Sequence, residues 1–521
     1  MTTANATRIT LALLTLIPAM ASAAIPIAHC RPGDKTESGL QGLTTPAEIA
    51  SGAAVKGFNC NTDIVGQYQG EGASWQLTAW KNCAYFDQRL NAAETHPGTV
   101  VVDVSDPKAP KATTWLNDNA MLDPWESLKV NSARQLLAAG QRPSTGFSIY
   151  DISQDCAHPV QKAVININGM FGHTGQWAPD GNTYYVTPLR ADQSIIAIDT
   201  KDPTAPKLIP CGTGTYGCNS NGFFVAPADI PLAQWHDVEF SKDGNTAYVT
   251  MFGNGATAGK NGLLILDVSD FQQRKANPAY KAISSLTWDD GSVGAQNALP
   301  ITIKGKPYIL FSDEAGGGNT ACQQGKSGSG PPRLIDISDP KKPTTVAKLS
   351  LDIHDAANCT TAVTTPVTSS TGSGFFAFSC HYCNVDDVDN AKIAACNCFA
   401  SGLRLFDISN VNYVKEVGYL KPPAQGTKVL PGSQYANSTN PAPTFVRNFD
   451  WATSKPSFPK DRGATSGDLW TTSQDNGFMV VKIDSNATAG SGGCASADAS
   501  LGGLLVFGVA EMLRRRRLRR S

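Results

Sequence analysis

Charge is scarce in this chain. Only 17% of its 521 residues are Asp, Glu, Lys or Arg, and the two signs nearly cancel, to a formal net charge of −1. No basic face that would attract a phosphate backbone follows from that balance, so nucleic acid is not an expected partner. The common catalytic signatures are missing too. There is no G-x-S-x-G elbow, no phosphate-cradling G-x-x-x-x-G-K-[ST] loop and no H-E-x-x-H. Gly (48) and Pro (32), by contrast, are plentiful, as suits many short strands joined by turns.

What the chain does have is a repeated phrase. "GTVVVDVSDPKAP" at 98–110 returns as "PRLIDISDPKKP" at 332–343, and more loosely as "FSIYDISQDCAHP", "SIIAIDTKDPTAP", "GLLILDVSDFQQ", "LRLFDISNVNYV" and "FMVVKIDSN". The equivalent positions are Asp103, Asp151, Asp199, Asp267, Asp336, Asp407 and Lys482, spaced 48, 48, 68, 69, 71 and 75 residues apart. Runs such as "TVVVDV" and "LLILDV" are continuously apolar, which marks strands buried on both faces. The Ser-Asp-Pro that follows is turn chemistry. Between copies lie "HTGQWAPDGNTYYVT" and "HDVEFSKDGNTAYVT", each two strands joined across an Asp-Gly-Asn turn. One repeat is therefore four antiparallel strands.

Four-stranded sheets repeated radially make a β-propeller, in which each blade covers its neighbours' faces. A linear solenoid is the alternative, although its repeats are usually shorter. The expected fold is all-β: a seven-bladed β-propeller over residues 61–484, after a leader at 24–60. The seventh copy runs into "SNATAGSGG" without an outer strand, whereas "NTDIVGQYQG" near the start resembles one. Residues Asp63 to Tyr68 are expected to supply it and close the ring, removing exposed sheet edges. The repeated apolar-apolar-Asp-Val/Ile-Ser-Asp-Pro phrase resembles the LVIVD-repeat family of secreted bacterial and archaeal β-propellers, over about 420 residues from Asn61 to Asp484. The resemblance implies the fold and a place at the cell surface.

The ends read as addresses. "TRITLALLTLIPAMASA" has the charge, apolar run and small residues of a secretory signal peptide at 1–23, a buried N-terminal helix being the alternative. Residues 485–494 read as a linker, and 495–521 as a short apolar helix with an Arg-rich end. The apolar run Leu501–Leu513 is short of the roughly 20 residues that span a bilayer, and Glu511 interrupts it. Arg514 to Arg517, Arg519 and Arg520 would keep that end cytoplasmic. Gly492-Gly493-Cys494, the short helix and the Arg run resemble the sorting tails of myxobacterial surface proteins. The resemblance implies a sorting protease as partner and Cys494 as the lipidated residue. A plain membrane anchor is the alternative. The protein is then exported to the cell surface or outer membrane, with a precursor held in the inner membrane.

Twelve of the thirteen cysteines lie between Cys30 and Cys398, an even number suited to pairing in an oxidising compartment. Cys211 and Cys218 are close enough to staple one loop. "CHYCNVDDVDNAKIAACNCF" offers Cys380, His381, Cys383, Cys396 and Cys398, which suit either zinc or, the reading preferred for an exported chain, disulfides. The acids within it lack the glycine and terminal glutamate of an EF-hand.

Histidines are few, only 7. His173 and His236 stand at the start of the innermost strand in consecutive blades, and His354, in "DIHDAANC", is expected to do so in another. With Asp237 and Asp355 they could hold a transition metal at the channel mouth. The plainer alternative is that each histidine bonds a loop backbone or lines a polar channel. Long insertions on a rigid scaffold favour a non-catalytic module, without cofactor, that binds a protein or glycan. A metal-binding protein or metal-dependent enzyme is the alternative.

Overall fold

Six of the seven repeat positions perform the same local task. Asp103, Asp151, Asp199, Asp267, Asp336 and Asp407 each end a strand, and each carboxylate accepts the backbone N–H two residues on, at 2.8–3.1 Å. The strands they end are Thr99–Asp103, Gly146–Asp151, Ile196–Asp199, Gly262–Asp267, Arg333–Asp336 and Gly402–Asp407. This side-chain turn frees the chain from the ladder and sends it back as the outer strand.

In the computed structural model, which describes residues 25–140, 145–189, 195–210, 234–253, 261–364, 376–426, 428–437 and 449–484, these strands belong to seven antiparallel sheets arranged as a ring. Blades 1 to 6 begin with the innermost strands Leu77–Trp80, Lys129–Asn131, Thr174–Trp177, Gln234–Phe240, Ser292–Ile303 and Tyr382–Val385. Blade 7 is built on Leu469–Ser473 and Gly477–Ile483, with residues 452 and 457 bridging to its inner side. The fold is the seven-bladed propeller that the repeats imply.

Every pair of neighbouring blades has its own apolar core. Leu264 and Leu266 of blade 4 pack with Tyr185 and Ala197 of blade 3, while Leu263 and Ile265 on the opposite face pack with Ile309 and Phe311 of blade 5. A continuously apolar third strand thus serves two interfaces, which is why it does not alternate. The ring closes in the same way, with Phe86, Val100 and Val102 of blade 1 against Trp470, Phe478 and Val480 of blade 7.

The closing strand comes from the N-terminal side. Thr62–Tyr68 pairs antiparallel with Gly477–Ile483, from Thr62 opposite Ile483 to Tyr68 opposite Phe478. Gly66 lies at a bulge in that strand, where a methyl group would overlap the Pro107 carbonyl of the blade 1 turn. The strand just before it, Phe58–Cys60, adds a fifth strand to blade 6 by pairing with Lys415–Lys421. Asn61, at a positive φ of 55°, turns the chain from one blade to the next. Residues ahead of it are tied to the ring: Glu37 pairs with the buried Arg404 at 2.8 Å, and Cys30 is bonded to Cys60.

Ten cysteines form five disulfides among the described residues: Cys30–Cys60, Cys83–Cys156, Cys322–Cys359, Cys380–Cys398 and Cys383–Cys396. Cys383–Cys396 cross-links the first two strands of blade 6, and Cys380–Cys398 ties the residue two ahead of the first to the end of the second. Their sulfurs are therefore not thiolates, and the zinc alternative for this stretch does not hold. Such bonding indicates an oxidising, exported environment. Cys211, Cys218, Cys494, the signal peptide and the Arg-rich tail lie outside the described residues. Among those described, no helix is long and apolar enough to cross a membrane.

Candidate functional site

The inner edges of the blades do not repeat. At or just ahead of the innermost strand, blades 2 to 6 place Glu126, His173, His236, Gln296 and His381, all buried. Blade 5 adds Glu314 from its second strand, Lys306–Gly316. Five of these side chains converge. His173 Nε2 and His236 Nε2 are 3.0 Å apart, and Glu126 Oε2 lies 3.3 and 3.4 Å from them. His381 Nε2 is 2.7 Å from Glu126 Oε1 and 3.3 Å from Glu314 Oε2. Glu314 Oε1 reaches 3.9 Å from His236 Nε2.

Local contacts aim these groups. The Thr453 carbonyl of blade 7 accepts from His381 Nδ1 at 2.6 Å, so the proton resides there and Nε2 faces the carboxylates. Gln296 donates to Glu126 Oε1 at 2.9 Å. An imidazole fixed by a backbone carbonyl behind it is the arrangement metal-ligating histidines show. Aromatic rings wall the cluster: Trp75 lies 5.2 Å from the His381 ring, Trp125 5.9 Å from His173, and Phe252 stacks on His236 at 5.4 Å. Little water reaches such a site, so its charges act on one another strongly.

The titrations follow. Burial pushes His236 down to about 3, and the repulsion of His173 and His381 adds to this against the pull of Glu126. Burial also pushes His381 down, but the Glu126 and Glu314 carboxylates outweigh it and raise that imidazole to about 9. Burial would raise Glu126, yet the three imidazoles hold it well below the carboxylate range. The cluster therefore sets the Glu126 carboxylate beside the neutral imidazole of His236, donors that suit a cation. Glu126 Oε2 and His381 Nε2 complete no well-directed hydrogen bond with the protein.

Three residues further along the same strands, about 10 Å on, Lys129, Gln176 and Asn384 line a second layer around a cavity of about 150 Å³ with Gln76 and Lys455. Lys455 is paired with Glu239 at 2.9 Å. Asp237 belongs to this region rather than to the cluster. Its Oδ2 accepts from Asn297 Nδ2 at 3.0 Å, and burial raises its carboxyl to about 6.

His173 and His236 thus meet, while His354 does not join them. It sits on a short 3₁₀ turn, Asp352–His354, where Nε2 donates to the Phe378 carbonyl at 2.8 Å and Nδ1 accepts from Leu351 N at 3.1 Å. Both ring nitrogens are used by backbone, so the expected convergence of His354 is corrected: the third imidazole is His381. Asp355, half-buried, caps the next turn by accepting from Ala357 N at 2.8 Å. Glu126 and Glu314 were not anticipated. Spacing was the usable signal, since His173 stands 26 residues ahead of Asp199, His381 26 ahead of Asp407 and Glu126 25 ahead of Asp151.

No family model and no curated protein matches this chain. Solved structures with a similar course include a protein from Lactobacillus plantarum, 13% identical over 67% of this chain and 87% of that one, with a TM-score of 0.42. The β-propeller domain of Cps50 (Swd1) from Myceliophteria thermophila is 9% identical over 81% and 98%, with a TM-score of 0.45. The periplasmic gluconolactonase PpgL of Pseudomonas aeruginosa is 12% identical over 67% and 85%, with a TM-score of 0.42.

Proposed function

We propose that this chain is an exported metal-binding propeller, acting as a metal-dependent enzyme whose centre is held by His173, His236, His381, Glu126 and Glu314 in the channel. The observation that carries the reading is the convergence of three imidazole Nε2 atoms and two carboxylates, delivered by five separate blades, on one buried spot. A mixed nitrogen and oxygen set without thiolate suits a divalent first-row transition metal. The propeller has its interblade cores and disulfides to stabilise it, whereas a buried cluster of carboxylates works against stability unless compensated. Such a cluster is a mark of chemistry rather than of scaffolding.

Metal analysis of the purified protein tests this. At least one transition-metal ion per chain is expected, falling at least tenfold in His173→Ala/His236→Ala. A metal-free protein that takes up none on incubation with Mn(II), Zn(II) or Cu(II) would return the protein to the class of non-catalytic modules binding a protein or glycan. We also propose that the tail sorts the protein to the surface through Cys494. Mass spectrometry of the mature C-terminus tests that, and an intact Arg-rich end on surface-located protein would make the tail an ordinary anchor.

A further inference from the structure

The five donors do not form one shell. They fall into two triads, Glu126 with His173 and His236, and Glu126 with Glu314 and His381. Glu126 divides its oxygens between them, Oε2 facing His173 and His236, Oε1 facing His381. Glu314 divides its own likewise, with Oε1 3.9 Å from His236 Nε2 and Oε2 3.3 Å from His381 Nε2. Each triad has the spacing of ligands on one ion. Two atoms bound at about 2.1 Å and at roughly right angles lie about 3 Å apart, and the separations within the triads run from 2.7 to 3.4 Å where they are measured. A carboxylate that offers one oxygen to each of two nitrogen-bearing sets is a bridging ligand.

We propose that the channel holds two divalent transition-metal ions, one on His173 and His236 and the other on His381, bridged by Glu126 and Glu314. The inference rests on the metal reading above and adds its nuclearity. Ions bridged in this way stand about 3.5–4 Å apart, close enough to act together on one oxygen-bearing substrate. The two sides differ in support. His381 is fixed from behind by the Thr453 carbonyl and lies between two disulfide-bonded cysteines, Cys380 and Cys383, whereas His173 and His236 come from adjacent blades and touch one another.

The test is titration of the full, chelator-stripped protein with Mn(II), followed by equilibrium dialysis and electron paramagnetic resonance. Two ions per chain are expected, with the spectrum of a spin-coupled pair. His381→Ala should bind one ion and lose the coupling. His173→Ala/His236→Ala should also bind one, while the exposed His158→Ala binds two. Glu126→Gln should abolish coupling and weaken the second ion at least tenfold. If that variant melts early, Glu314→Gln, at the half of the bridge nearer the second strand of blade 5, serves the same purpose. Saturation at one ion would overturn the dinuclear proposal and leave the metal reading standing. Two ions without coupling would overturn the bridge, and binding of none would overturn both.

Discussion

The outer and inner edges of the same blades follow opposite rules. At the turn that ends each third strand, six blades repeat one device, an aspartate accepting the N–H two residues on. At the channel, blades 2 to 6 present Glu126, His173, His236, Gln296 and His381 in turn. Repetition answers a requirement common to all blades, namely to leave the ladder and cover a neighbour. Divergence appears where blades contribute different groups to one centre. Damage to the repeated part should therefore cost stability, and damage to the divergent part should cost chemistry.

The largest effect expected is on closure. Deleting residues 61–70 removes the strand paired with Gly477–Ile483 and leaves an apolar edge open. Thermal melting by circular dichroism should show a fall of at least 10 °C or insoluble protein, and an unchanged melt would mean blade 7 closes without it. Next comes a single third-strand side chain. Leu264, buried between blades 3 and 4, should lose about 2–5 kcal/mol on Leu264→Ala, measured by denaturant unfolding, with metal content per folded chain retained.

The channel sharpens the comparison through pH. His381 has its folded value raised to about 9 from an ordinary 6.5. The stability it contributes to metal-free protein is fully present below about pH 6.5 and is lost as pH rises through 9, on the order of 3 kcal/mol. His236, lowered to about 3, acts in the opposite direction, destabilising the fold as pH falls below 6.5. Metal-free protein should therefore lose stability between pH 6.5 and 9, and His381→Gln should flatten that limb. A limb unchanged in the variant would assign it elsewhere. The smallest effect belongs to one copy of the common device. Asp103→Ala, at a partly exposed turn, should cost about 1 kcal/mol by the same unfolding assay and leave metal content untouched.

The same contrast explains what could be read from the sequence. The strand ends, their turns and the closing strand at Thr62–Tyr68 were legible because each blade restates them, so one copy interprets the next. His173 and His236 were legible because "HTGQW" and "HDVEF" still resemble each other. Glu126 begins "ESLKV", with no histidine to mark it, and Glu314 lies on a second strand whose other residues look like ordinary core. His381 stands between two cysteines and was weighed as part of a zinc or disulfide cluster. His354 imitates the inner-strand phrase but lies in a turn, and only the tertiary structure shows its nitrogens spent on backbone. A cluster assembled from five blades across some 260 residues leaves no local pattern, because the chain distance between its members carries no physical constraint.

The most direct test of the proposed metal centre is anomalous scattering from crystals of the Mn(II)-loaded protein. The account predicts strong peaks within about 2.3 Å of the Nε2 atoms of His173, His236 and His381, between them and the oxygens of Glu126 and Glu314. Crystals that show manganese only on the protein surface, with no peak in the channel, would contradict it.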